Sequence, residues 1–376
     1  MHRRDFIRTG TVSGFLAGTF VGADPLAGLM SATPRRAANG DLRLNANENP
    51  LGISDAAKKA VMDAITVANR YPSSQQAALK ETLASAYEVG ENQIVMGVGS
   101  SEILQMAIQA FGSPRATLVL ADPTYEDVAT YQRTHAYEMV KVPLTSSYQH
   151  DLGRMREVVE RNGYPSVVYI CNPNNPTGGV TPSAQLDDWI AEAPENVFFI
   201  SDEAYVEYVD DPQFHTALPW VHKQPNVLVV RTFSKIYGMA GLRLGYGIAH
   251  PDAAMRLSDF VAKNNTNQLA LAAAAASFRD PAIVESSVKV NQESKQMVTE
   301  TLDDLGLEYL PSQTNFIMHR IGTDLQSYRD RMAQAGYLVG RPFPPMTEWN
   351  RLSFALPEDM AGFCETLKSF RSKGWV

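Results

Sequence analysis

Between Ser73 and Ala276, short apolar runs ending in polar or glycine residues alternate with stretches of helical spacing, and few architectures satisfy that order. The runs "QIVMGV", "ATLVLAD", "YEMVKVPL", "SVVYICN", "VFFISDE", "NVLVVRTF" and "RLGYGIAH" have the length and continuous apolarity of strands buried on both faces. Segments such as "SEILQMAIQAFG" between them have the period of an amphipathic helix. Strand, helix and strand in that order pair in parallel, with helices covering the sheet. The expectation is an α/β fold with a mainly parallel sheet, and groups that do chemistry should gather at the carboxyl ends of its strands.

The chain has 376 residues, more than one core usually supports. After the alanine-rich "NQLALAAAAASF" the pattern changes to a long polar helix from Ile283 to Leu305, strands "TNFIMHRI" and "RLSFAL", and two further helices. This reads as a smaller α+β domain over residues 277–376, a large domain over 71–276, an N-terminal segment over 41–70 that joins the small domain, and a leader over 1–40. With 33 Lys and Arg against 41 Asp and Glu, the net charge of −8 and the lack of any like-charge block argue against nucleic acid as a partner. Cys171 and Cys364 are too few for a disulfide framework and read as buried small hydrophobes. No metal is expected: His215 and His222 could share a helix face, but Pro219 interrupts them.

The leader resembles a twin-arginine export signal. Arg3 and Arg4, then Phe6 and Ile7, then Arg8 precede the weakly apolar, glycine-rich run "TVSGFLAGTFVGADPLAGLMSA". The resemblance implies an exported, periplasmic protein, cytoplasmic if the leader is unused. The leader could also be retained as an anchor; no other segment approaches the roughly twenty apolar residues of a membrane span.

Four strand ends carry chemistry. "GVGSSE" places Gly97, Gly99, Ser100 and Ser101 between a strand and a helix, where free N–H groups and the helix dipole suit a phosphate, although the same residues could form an ordinary turn. Glu102 stands where a dinucleotide fingerprint would have its third glycine, which weakens a Rossmann reading. "NPNNPTGG" fixes a sharp loop. Asp202 and Glu203 close an apolar run, and a carboxylate there is costly to bury unless it meets a cation or a protonated ring nitrogen. "RTFSKIYGMAGLRLGYG" brings Ser234, Lys235 and Arg243 to one strand end: an amine able to form a Schiff base, and a guanidinium suited to phosphate. A phosphate cradle, a buried aspartate, a lysine and a second phosphate cation are what pyridoxal 5′-phosphate requires.

Here the sequence resembles the fold-type-I aminotransferases of class I/II, and within them the histidinol-phosphate aminotransferase branch. The motifs "LNANENPLG", "RYPSSQQAALKETLA", "GVGSSE", "DPTYEDV", "NPNNPTG", "DEAYVEY", "TFSKIYGMAGLRLGY" and "NRLSFALPEDM" occur in family order from about Leu42 to Phe370. The resemblance implies a three-layer large domain like that of aspartate aminotransferase and a transfer of an amino group between an amino acid and a 2-oxo acid. It implies that Lys235 holds the cofactor as a Schiff base and then shuttles a proton, and that Asp202 pairs with the pyridine nitrogen. Asn175 and Tyr205 would bond the phenolic oxygen, and Tyr125 would lie against the ring. The phosphate would take N–H groups around Gly99, Ser100 and Ser101, together with Ser234, Arg243 and Tyr71, the last reaching across a homodimer. Arg351 would grip the substrate carboxylate, with Arg341 as a second guanidinium or a plain surface residue, and Asn47 and Asn49 would lie on a covering segment.

Two departures bear on substrate. Val98 and Ser101 replace the branch's usual asparagine and aspartate in the phosphate turn, and an export signal sits poorly with histidine biosynthesis. Both argue against histidinol phosphate as the donor. The alternatives are oxidation or decarboxylation of an amino acid in the same pocket, because motifs around the cofactor do not decide which substrate bond is broken, or a cofactor-binding protein without catalysis.

Overall fold

The computed structural model describes residues 40–112, 115–133, 138–162 and 165–376. The arginine pair and the rest of the leader lie outside the described residues. The strands are β1 (Leu42–Leu44), β2 (Ile94–Gly97), β3 (Thr117–Asp122), β4 (Glu138–Pro143), β5 (Ser166–Cys171), β6 (Val197–Asp202), β7 (Val227–Thr232), β8 (Gly245–Ala249), β9 (Phe316–Arg320), β10 (Tyr337–Val339) and β11 (Trp349–Ser353). The central sheet has the order β2-β8-β7-β6-β5-β3-β4 and is parallel except for β8, which runs against both neighbours. Every residue of β5, β6, β7 and β8 is buried, as continuous apolar runs covered on both faces must be. The fold is the mostly parallel α/β architecture that the alternating pattern predicts.

The helices are α1 (Asp55–Ile65), α2 (Ser73–Tyr87), α3 (Ser100–Phe111), α4 (Asp127–Gln132), α5 (Leu152–Asn162), α6 (Ser183–Glu192), α7 (Pro251–Ser258), α8 (Gln268–Phe278), α9 (Pro281–Asp304), α10 (Leu325–Gln334) and α11 (Pro357–Ser372). Their starts follow local chemistry. The Ser54 side chain accepts from Ala57 N at α1, and Asp280 accepts from Ala282 N just before Pro281, whose missing N–H costs nothing at the first position of α9. The alanine-rich α8 is apolar around most of its circumference and packs closely against α1.

Beyond the central sheet, β9 and β11 pair antiparallel and β1 pairs in parallel with β10. With α9, α10 and α11 they enclose a separate apolar cluster that includes Leu44, Val298, Ile317, Tyr328, Leu352 and Phe363. The pairing of Leu42 with Tyr337 ties the N-terminal segment to this part of the chain.

Candidate active site

Five parallel strands deliver side chains to one cavity of about 240 Å³ at their carboxyl ends. Strand β2 leads into Ser100 and Ser101, β3 into Tyr125, β5 into Asn175, β6 ends at Asp202 and leads to Tyr205, and β7 leads into Ser234 and Lys235; Arg243 closes the set from the turn before β8. The sequence motifs therefore converge on one site.

One end of the cavity is built for an anion. Gly99 caps α3 with φ 75°, a left-handed backbone that glycine adopts without strain. A Cβ there would collide with the Arg243 guanidinium, and a Cβ on Gly245 would collide with Ser100 N, so both glycines permit the approach of β8 and Arg243 to the helix N-terminus. Arg243 Nη1 donates to Ser234 Oγ at 3.3 Å and to the Ala240 carbonyl at 3.0 Å, and no carboxylate pairs with it among the described residues. Glu102, displaced from any glycine role, accepts from Val98 N and from Asn265 Nδ2, each at 2.6 Å, and so fixes the turn.

Two adjacent carboxylates have separate fates. Glu203 meets a cation: Arg231 donates Nη2 at 2.8 Å and Nε at 3.2 Å to its Oε2. Asp202 meets none. It accepts from the Tyr169 hydroxyl at 2.7 Å and from Ala204 N at 3.2 Å, and burial raises its pKa to about 6 against the lowering effect of that tyrosine bond. A buried carboxylate that faces the cavity without an ion-pair partner among the described residues fits a protonated ring nitrogen. The Lys235 amine donates to the Asn47 carbonyl at 3.2 Å, and desolvation, with the nearby Arg351 charge, lowers its pKa to about 8. An anion cradle, a lowered lysine and an unpaired aspartate in one cavity fit pyridoxal 5′-phosphate.

The remaining candidates are placed as follows. Asn47 is buried, with φ 53°; its Nδ2 donates to the Tyr205 hydroxyl at 3.0 Å, and the Ser353 hydroxyl donates to its Oδ1 at 2.8 Å. Asn49 donates to Ile236 O and Ser287 Oγ, both at 2.7 Å, and is therefore structural. Arg351 is buried behind the cavity lining rather than in it, and donates Nη1 to Oδ1 of the lining residue Asn175 at 2.7 Å. The Tyr125 hydroxyl donates to Asp127. Tyr71 is 80 % exposed and outside the cavity lining of this single chain. Arg341 also lies outside the lining, half-exposed and paired with Glu126 at 2.7 Å.

Sequence reasoning missed Tyr169 and the Glu203–Arg231 pair. A tyrosine inside a mainly apolar run that reads as buried on both faces needed a hydroxyl partner, which was the available signal. Cys171 is buried as expected and also lines the cavity.

The chain is similar to known proteins over most of its length. The family Aminotransferase class I and II matches residues 39–367. Histidinol-phosphate aminotransferase 1 of Cupriavidus pinatubonensis is 36% identical over 334 residues, 88% of each chain. A candidate histidinol-phosphate aminotransferase from Erwinia carotovora atroseptica superposes with a TM-score of 0.89 at 38% identity, covering 92% of this chain and all of that one. The histidinol-phosphate aminotransferase of Sinorhizobium meliloti, solved with pyridoxal 5′-phosphate, gives a TM-score of 0.83 at 25% identity, over 94% of this chain and 98% of that one.

Proposed function

The chain belongs to the class I and II aminotransferases, and we propose that Lys235 is the residue that holds its pyridoxal 5′-phosphate and moves the proton during transfer. The enzyme exchanges an amino group between an amino acid or related primary amine and a 2-oxo acid. Nothing in the comparisons favours oxidation or decarboxylation. The observation that carries the reading is the pairing, in one cavity, of a lysine lowered to about 8 with an aspartate raised to about 6, opposite a cradle for phosphate.

When bound, the cofactor supplies an aldehyde for the amine and a ring that accepts electrons. In the proposed roles, Arg243, Ser234 and the N–H groups at the start of α3 bind the phosphate. Asp202, oriented by Tyr169 and Ala204 N, holds a proton on the ring nitrogen. Asn175 and Tyr205 donate toward the phenolic oxygen, Tyr125 packs against the ring, and Arg351 receives the substrate carboxylate. Lys235 Nζ would take a proton from the substrate carbon and deliver it to the carbon that was the cofactor's aldehyde, two bonds away across the nitrogen. Its lowered pKa puts a useful fraction in the basic form near neutral pH.

The test is spectroscopic. Titration of the holoenzyme with single amino acids under anaerobic conditions should convert the cofactor band to the pyridoxamine form with one donor, and a 2-oxo acid should restore it. A band unchanged by every amino acid and by L-histidinol phosphate, or a change that oxygen alone reverses, would overturn transamination.

A pH dependence follows for cofactor capture. Only the uncharged amine attacks the aldehyde, so capture by the apoprotein should be slow while Lys235 is protonated and should rise through about pH 8 rather than through the ordinary 10.5. Stopped-flow absorbance reads the midpoint, and a value near 10 would contradict the lowered pKa.

The exposed Tyr71, with Ile65 and Val67 also exposed nearby in the chain, supports a homodimer in which Tyr71 enters the partner's cavity. Light scattering should give the mass of two chains, and Tyr71→Phe should weaken cofactor binding by up to about tenfold, the loss of one hydrogen bond. A monomer with unaltered affinity would contradict it. The leader pattern supports export, which cell fractionation would test. The relatives' names bring histidinol phosphate forward as one donor to compare with ordinary amino acids.

A further inference from the structure

The guanidinium groups of Arg341 and Arg351 pack on the same ring, 4.3 and 4.7 Å from the centroid of the buried Phe343. Their electrostatic situations differ. Arg351 donates only to neutral oxygens, Asn175 Oδ1 at 2.7 Å and the Asn45 carbonyl at 3.0 Å, and its Nε has no partner. No carboxylate pairs with it among the described residues, so this buried cation lacks an anion. Arg341 already has one. Its Nη2 and Nη1 reach the two oxygens of Glu126 at 2.7 and 3.2 Å, a fork-on-fork geometry. Glu126 directly follows Tyr125, which lines the cavity, and its charge acts on Arg351, whose Nη1 reaches the lining residue Asn175. A second carboxylate, Glu48, lines the cavity and pairs with Arg43 at 3.1 Å.

We propose that Glu126 is a specificity-determining residue: by neutralising Arg341 it leaves one uncompensated guanidinium, so the site takes donors ending in a singly charged carboxylate and discriminates against donors ending in a phosphate monoester. The proposal rests on the aminotransferase reading. A phosphate monoester carries a charge of about −1.5 to −2 at neutral pH and asks for a second cation where this arginine pair offers one free of a carboxylate. An exposed ion pair is weak by itself, so an incoming phosphate could draw Arg341 away. The released carboxylate would then stand beside that dianion, and the like-charge contact sustains the discrimination. Selectivity thus comes from the charge of Glu126 more than from the strength of its bond to Arg341.

The experiment compares kcat/KM of the holoenzyme for matched donors that share a side chain and differ in their end group. One pair is built on the donor that the amino-acid titration identifies, and a second is L-histidine against L-histidinol phosphate. The wild type should favour the carboxylate member of the pair built on its own donor. Glu126→Gln should raise the phosphate-to-carboxylate ratio in that pair by about tenfold. Glu126→Asp, which keeps the charge, should stay near the wild-type ratio, and adding Arg341→Met to Glu126→Gln should remove the gain. A wild type that prefers the phosphate ester in either pair, or a ratio that Glu126→Gln moves by less than about twofold, overturns the proposal. Conversion by L-histidinol phosphate but by no amino acid also overturns the proposal, whereas absence of conversion with every amino acid and with L-histidinol phosphate overturns the aminotransferase reading instead.

Discussion

Lys235→Ala is expected to retain a folded protein that binds the cofactor's phosphate yet turns over at least ~10²–10⁴-fold more slowly, the range that loss of a positioned proton carrier produces. The side chain sits in the cavity rather than in the core, touching the Asn47 carbonyl and lying 5.7 Å from the Tyr205 ring centroid. Its removal leaves those groups solvated from the cavity, so the loss should fall on chemistry. Single-turnover absorbance, with amino acid and cofactor premixed, separates proton transfer from cofactor capture. Lys235→Arg sharpens the reading, because arginine keeps the charge but does not give up its proton near neutral pH. Both variants should be slow if the lysine acts as a base. Recovery in the arginine variant alone would mean that only its charge matters, and alanine turning over within tenfold of the wild type would remove Lys235 from the mechanism altogether.

What the sequence made visible was what repeats or converges. Strands such as "SVVYIC" and "VLVVRT" are buried on both faces, so their apolarity is continuous and identifies them directly. Since parallel strands put their carboxyl ends on one edge, Ser100, Asn175, Asp202 and Lys235 could be expected in one place although they span 136 positions. The strands β1 and β10, three residues each, carry no readable period and exist because they pair with one another. Arg341 shows a different limit. Its guanidinium is claimed by Glu126, 215 residues away, and no local pattern announces such a partner. The same holds for Tyr169, whose hydroxyl reaches Asp202 across neighbouring strands. Strand ends are set by the chain's own periodicity, whereas the partner of a polar side chain is set by tertiary packing.

The second large effect is on stability. Arg231→Ala is expected to destabilise the protein by ~3–5 kcal/mol, the cost of leaving a buried charge without its partner. Glu203 is 1 % exposed, and besides Arg231 its Oε2 accepts from Thr216 Oγ1 at 2.7 Å and its Oε1 from Ala217 N at 2.8 Å. Those two donors are neutral and do not replace a guanidinium. Arg231 also packs 5.0 Å from the Tyr87 ring centroid, so truncation removes contact as well as charge. Denaturant unfolding of the apoprotein measures the loss without contribution from bound cofactor. The double variant Arg231→Met with Glu203→Gln should recover part of it, because an apolar replacement of similar length beside a neutral amide leaves no unpaired charge. If Arg231→Ala costs less than about 1 kcal/mol, water must reach Glu203 and the pair is not buried as described. The position of the pair also links stability to the site. Glu203 follows Asp202 at the end of β6, and its charge helps raise the pKa of that aspartate. Burying an arginine against Glu203 lets two consecutive carboxylates end one strand, one neutralised within the fold and the other kept for the cavity.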